Sequence, residues 1–284
     1  MIRGVFILAG LTIKEAIRRR VFLAALVIAA LYFGFAFLPL HIRTGFLVGQ
    51  DMAAARNNTG RIFAWLGSGT IKFFGAILAV ALSAGAITSE IDRGVLSVIV
   101  PKPIPRAAIY LGKWVGVITF LAVCATVWGS LLAWALWRQT GTYHPHLWGG
   151  ILAAFLFPVL FTTLTLFFST FTTYALASSL SLIAAGVALA EDLLHNLSQP
   201  LALNSPILDT LSRIAGYVVP LGRMNHWITR GLGDAGLDIS VFFGQPRGLG
   251  PAAIVASGAD MGYILAYIAT FFALGLIFFQ RRDL

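Results

Sequence analysis

Cysteine is almost absent: Cys124 stands alone, so no intrachain disulfide can form. Charge is scarce too, with 20 lysines and arginines and 11 acidic residues making up 11% of the chain. Soluble domains carry about 25%, and disordered chains combine high charge with low hydrophobicity, so neither class fits. There is no Gly-x-x-x-x-Gly-Lys-Ser/Thr phosphate loop. Gly112-Lys113-Trp114 lacks both the upstream glycine and the hydroxyl, so the chain is not expected to hydrolyse ATP alone. Gly67-Ser68-Gly69 lacks the spacing of a nucleophile elbow and reads as a flexible helix start. His144-Pro145-His146, with His195 and His226, reads as solvated outer histidines, and no metal site is expected. Glu191-Asp192 reads as a solvated helix end.

What is abundant is apolar: 58% of the residues are hydrophobic, and the mean hydropathy is +0.87. These values imply an integral membrane protein. The net charge of +9 is distributed around the apolar runs, which points to a membrane surface and lipids and away from nucleic acid. Six stretches reach the length needed to cross about 30 Å of hydrocarbon. They run from Val21 to Leu40, Trp65 to Thr88, Trp114 to Trp137, Leu147 to Ser169, Tyr174 to Ala190 and Gly262 to Phe279. No small-residue cleavage site follows the first, which is therefore expected to remain as an anchor. Span interiors are nearly uncharged, which disfavours an ion-driven carrier; Lys72 is the main exception and reads as an interface anchor that snorkels outward.

Lysines and arginines set the orientation. With the N-terminus inside, the inner segments hold Arg3, Lys14, Arg18, Arg19, Arg20, Arg93, Lys102, Arg106, Lys113, Arg281 and Arg282, eleven in all. The short outer loops hold four, Arg43, Arg56, Arg61 and Arg138. Both termini are thus expected in the cytoplasm of a multi-pass protein of the cell membrane. The chain reads as one transmembrane domain: an interfacial helix over 1–20, five spans over 21–190, an extracytoplasmic segment with short interfacial helices over 191–261, and the sixth span over 262–279.

Arg3 to Arg20 reads as a helix lying along the inner interface, with Phe6, Ile13 and Ile17 on one face, Lys14 and Arg18 on another, and Glu15 paired with Arg19. Thr88 to Lys113 is the longest inner loop. Within it Ile91, Val95, Val98 and Ile99 keep helical spacing beside Glu90, Asp92 and Arg93, which predicts a short amphipathic helix with an apolar face that wants a groove. Pro101, Pro103 and Pro105 then stop the helix, with Pro105 at the first position of the next.

At these residues the chain resembles the membrane subunits of ATP-binding cassette transporters of the ABC-2 permease type. The basic run Lys14, Glu15, Arg18, Arg19 and Arg20 before the first span matches that family's entry helix. Glu90, Gly94, Pro103, Arg106, Gly112 and Lys113 follow the family's order between spans two and three, and Arg281-Arg282-Asp283 resembles its usual end. Val95 and Pro105 depart from it, where threonine and a hydroxyl residue are common. The resemblance implies an all-α, six-span permease with a cytoplasmic coupling helix between spans two and three. It implies that Glu90, Asp92, Arg93, Gly94, Pro103, Arg106, Gly112 and Lys113 couple to a separate cytoplasmic ATPase, which holds the ATP and magnesium while this chain binds no cofactor. It further implies a second permease copy or paralogue and export of an amphipathic substrate. A membrane-embedded lipid-modifying enzyme and a non-transporting assembly factor are the alternatives.

Overall fold

A computed structural model describes residues 2–18, 23, 27, 30–31, 52–92, 105–198, 210, 216–217, 219–237, 239 and 257–281. Among them every regular element is helical: α1 (Ile2–Arg18), α2 (Met52–Asp92), α3 (Arg106–Thr140), α4 (Leu147–Ser169), α5 (Tyr174–Ser198), α6 (Leu221–Asp234) and α7 (Gly258–Arg281). Four of these, α2, α3, α4 and α7, are long and apolar enough to cross a membrane. The apolar part of α5, Tyr174–Val187, is shorter. The expected first span falls outside the described residues except for Leu23, Val27, Ala30 and Leu31, which are helical and exposed.

The two longest helices overrun the spans read from the sequence. At 1.5 Å per residue the 41 residues of α2 extend about 60 Å, twice the hydrocarbon thickness. Hydropathy marks where a helix is dry, whereas backbone hydrogen bonding continues into water until something stops it. Accordingly Glu90, Ile91 and Asp92 belong to the last turn of α2, and Arg106 to Lys113 form the first two turns of α3. Of the loop expected over Thr88 to Lys113, the residues up to Asp92 and from Arg106 onward are therefore helical, and 93–104 lie outside the described residues. Pro105 occupies the N-cap, one position earlier than expected, with φ −63° and ψ 136°, and its carbonyl accepts the first bond from Ala108 N–H at 2.8 Å. At the other end of α3, Gly141 supplies the left-handed φ of 73° that closes the helix.

The central helix is α4, which packs along α2 on one side and α6 on another. One continuous core runs from Phe63 and Leu136 near Gly141, through Leu121, Phe157 and Phe161, to Val117 and Ala16. A second cluster of Ile87, Ile109, Tyr110, Leu166 and Phe279 closes the Arg106 end. Small residues set the interhelical distances. A Cβ at Gly75 of α2 would meet the ring of Pro158 of α4 at 3.1 Å, and one at Gly231 of α6 would lie 2.5 Å from the backbone N of Gly150. Such close approach is how helices gain dispersion energy where lipid offers no hydrophobic drive.

Polar ties link the helices inside this apolar mass. Trp114 Nε1 of α3 donates to Thr163 Oγ1 of α4 at 2.9 Å, and Thr165 of α4 donates to Ser181 of α5 at 2.8 Å. Helix α6 lies within the segment read as 191–261, and its buried face of Met224, Asn225, Ile228, Thr229 and Leu232 packs on α4.

Candidate coupling site

The first three turns of α3 hold both chain-terminal helices. Arg106 Nη1 donates to the carbonyl of Gln280 at 3.2 Å, so a guanidinium sits at the C-terminal end of α7, where the helix dipole is negative. One turn on, Tyr110 is fully buried between Phe272 and Phe279, at ring-centroid distances of 5.4 and 6.1 Å. Its hydroxyl abuts Gly275, where any Cβ would collide with it. Only glycine fits there.

On its other side α3 meets α1. Gly112 and Gly116 are one turn apart, and Cβ atoms there would lie 2.6 Å from Leu8 Cβ and 2.7 Å from Thr12 Cβ. The two glycines form a smooth trough that receives Leu8, Ala9 and Thr12 of α1. Between them Lys113 is buried, with Nζ 3.8 Å from the Glu15 carboxylate. The pairing of Glu15 with Arg19 expected from the sequence falls outside the described residues, as do Arg19 and Arg20 themselves; what is described is the approach of Glu15 to Lys113 of α3. Phe6, Ile7, Leu11 and Ile17 stay exposed on the side of α1 that turns away from the bundle, and Lys14 is exposed as well.

The remaining residues of the expected coupling set are placed only in part. Glu90 and Asp92 lie in the last turn of α2, and Arg18 in that of α1, with side chains outside the described residues. Arg93, Gly94 and Pro103 lie wholly outside them, as do Val95, Val98 and Ile99 of the expected amphipathic helix. What comes together, then, is Arg106, Gly112, Lys113 and Glu15, joined by two residues the sequence reading passed over, Tyr110 and Gly116. Gly112-Lys113-Trp114-Val115-Gly116 is a small-x-x-x-small pattern, and it was the available signal for the second glycine.

At the Gly141 end the polar residues act as ties. Lys72, read as an outward anchor, turns to α6 and donates from Nζ to Asn225 Oδ1 at 2.8 Å. Asn225 could have been noticed because it shares the apolar face of α6 with Thr229, one turn away. His144 faces the Ala235 carbonyl from Nδ1 at 2.8 Å; a carbonyl only accepts, so Nδ1 carries the hydrogen. Arg223 of α6 lies 3.9 Å from the ring centre of Tyr263 and 3.7 Å from Asp260, both on α7. Among the described residues no group of three His, Cys, Asp or Glu side chains is placed to hold a metal ion.

A family model described as "ABC-2 family transporter protein" matches residues 7–284. No curated protein matches the sequence. Since the family model spans nearly the whole chain, the protein belongs to the ABC-2 transporter family and is a multi-pass membrane permease of an ATP-binding cassette transporter.

Proposed function

We propose that this permease is a six-span exporter subunit with both termini in the cytoplasm, working as a dimer with itself or a paralogue and driven by a separate cytoplasmic ATPase. The four spanning helices, the shorter apolar α5 and the apolar run at 21–40 supply the six crossings. The excess of lysine and arginine at the Arg106 end supports placing that end inside. Helix α1 lies along the inner leaflet with Phe6, Ile7, Leu11 and Ile17 toward the acyl chains.

The observation that carries the coupling role is the convergence of three elements on the base of α3. Residues 93–104 join α2 to α3, and α3 is fastened within its first three turns to α7 by Arg106 and Tyr110 and to α1 by Gly112, Lys113 and Gly116. Closure of the ATPase dimer on the segment around Glu90 to Arg106 would therefore displace three helices as a unit. For the push to do work, the segment must bind the ATPase differently in the two states. The family resemblance favours an amphipathic substrate, moved by alternation between inward- and outward-facing arrangements.

Affinity purification of the full chain from its native membrane tests the reading. A cytoplasmic ATPase should copurify in stoichiometric amount, and the purified chain alone should show no magnesium-dependent hydrolysis. Hydrolysis that survives removal of every ATPase contaminant, or a preparation with no ATPase partner, would overturn it.

A further inference from the structure

A polar band divides the two apolar clusters of the bundle, the upper one toward Gly141 and the lower one at the Arg106 end. On α2 the upper cluster stops at Leu82 and the lower begins at Ala86, with Ser83 between them. On α4 the change falls between Phe161 and Leu166, across Thr162, Thr163 and Thr165. On α3 it falls between Tyr110 and Val117, where Trp114 sends its indole N–H to Thr163. All four hydroxyl residues are at most 1% exposed.

A hydroxyl inside a helical bundle can donate to the carbonyl one turn earlier on its own helix. Thr163 does so to Val159, and Ser181, which accepts from Thr165, does so to Ala177. Ser83 and Thr162 do not. Among the described residues neither hydroxyl has a hydrogen-bond partner, and the packing leaves no water-sized access to either oxygen. A buried hydroxyl in that condition is costly, and the cost disappears where its surroundings part and water reaches it. The two residues lie on helices that run side by side in the same direction. Counting from the contact of Gly75 with Pro158, Thr162 is about 6 Å and Ser83 about 12 Å further toward the Arg106 end. Between them and that end stands the lower cluster, in which Tyr110 and Phe279 are fully buried.

We propose that Ser83 and Thr162 line a chamber that fills with water when the lower cluster opens toward the cytoplasm, the cluster acting as its gate. The inference rests on the proposed alternation between two arrangements, in which the base of α3 moves together with α1 and α7. In the arrangement described here the gate is shut and both hydroxyls go without partners; in the open one water supplies them. The two hydroxyls therefore raise the free energy of the shut state alone and bias the bundle toward opening. Removing one of them holds the gate shut.

The test uses the full chain in nanodiscs and a permanently charged methanethiosulfonate reagent, which reaches only cysteines that meet water. In a Cys124→Ser background Ser83→Cys should react slowly, at a rate set by the fraction of time the gate is open. In the unmodified chain Cys124, buried in the upper cluster, should stay unreacted over the same time. Adding Thr162→Val to the Ser83→Cys chain replaces a hydroxyl by a methyl of similar shape and should slow the reaction about tenfold. Thermal unfolding supplies a second readout. Thr162→Val should raise the midpoint, whereas Thr163→Val, which strands the Trp114 indole N–H, should lower it. Modification of Ser83→Cys no faster than that of Cys124, a rate indifferent to Thr162→Val, or a fall in midpoint for Thr162→Val equal to that for Thr163→Val would each overturn the proposal. None of these measurements needs the ATPase, so a chain that copurifies no ATPase defeats the functional reading and leaves them standing.

Discussion

Replacing Gly116 by alanine sets two opposing terms against each other. In a helix interior alanine is favoured over glycine by about 1 kcal/mol, because the backbone gives up less entropy on folding. Against this stands the packing of α1. The new Cβ would lie 2.7 Å from Thr12 Cβ, 2.9 Å from the Ala9 carbonyl oxygen and 3.1 Å from Ala9 Cα. Two of these three atoms are backbone, so no side-chain rotation relieves the clash and α1 must move out by about 1 Å to restore ordinary contact at about 3.5–4 Å. A gap of that size forfeits a quarter to a half of each dispersion contact along the interface, and overpacking of this kind costs about 1–3 kcal/mol. The steric term therefore wins, and the shift also draws Glu15 away from Lys113, whose buried ammonium depends on nearby negative charge. Gly69 of α2 provides the control: it lies inside a helix, and a Cβ there meets nothing within 4 Å. Thermal unfolding of the purified chain in one detergent should rank Gly69→Ala at or above the wild type and Gly116→Ala clearly below it. If Gly116→Ala unfolds at the same temperature as Gly69→Ala, α1 is not seated on α3 as described, and the linkage of α1 to the coupling site falls with it.

Lys72→Met and Asn225→Leu should each destabilise the chain by about 1–3 kcal/mol by stranding a polar partner, and the double variant should lose less than their sum; additive losses in a chemical-denaturation cycle would show that the two residues do not interact. Arg223→Gln should loosen α6 from α7 by about 1 kcal/mol, because the ion pair with Asp260 is partly exposed, and proteolysis between them should accelerate accordingly. Arg106→Glu removes an exposed bond and places a negative charge at the α7 terminus, for a stability loss of about 1 kcal/mol or less, yet it should markedly reduce ATPase copurification; wild-type recovery of the ATPase would remove Arg106 from the coupling role. In a chain lacking Cys124, single cysteines at Asn58 and Asn204 should react with an impermeant reagent in intact cells and one at Lys102 should not, the reverse pattern inverting the orientation.

Much of the architecture was legible because membrane insertion writes itself into composition. The runs at Leu147 to Ser169 and Gly262 to Phe279 coincide with α4 and with most of α7, since an apolar stretch of that length has few other destinations. Element ends were harder to read. Glu90 and Arg106 lie where hydropathy has already fallen but the backbone is still helical, and Pro105 marks where α3 begins. The order of Arg106, Gly112 and Lys113 was visible as a family pattern, while its physical content was not. That Gly112 admits Leu8, that Lys113 meets Glu15 and that Arg106 reaches Gln280 are contacts between residues about 100 or more positions apart in all three cases, and no local periodicity encodes them. Lys72 illustrates the same limit, because snorkelling is the default for a lone cation only when no buried acceptor waits on a neighbouring helix.

The proline inside α4 has a mechanical meaning. Pro158 has no N–H to give to the carbonyl four residues earlier, on Ala154, so the ladder of α4 is missing a rung at the level where Gly75 presses against the ring. Above that level the helix meets α6 through Gly150 and Leu232 and α3 through Ile151 and Gly129; below it, α3 through Thr163 and α5 through Thr165. These contacts tie α6 to one half and α5 to the other, and the weakest link in the backbone of α4 lies between them. If the ATPase pushes at the Arg106 end, as proposed, the lower fastenings resist first and the soft joint at Pro158 sets how much of the torque arrives at α6.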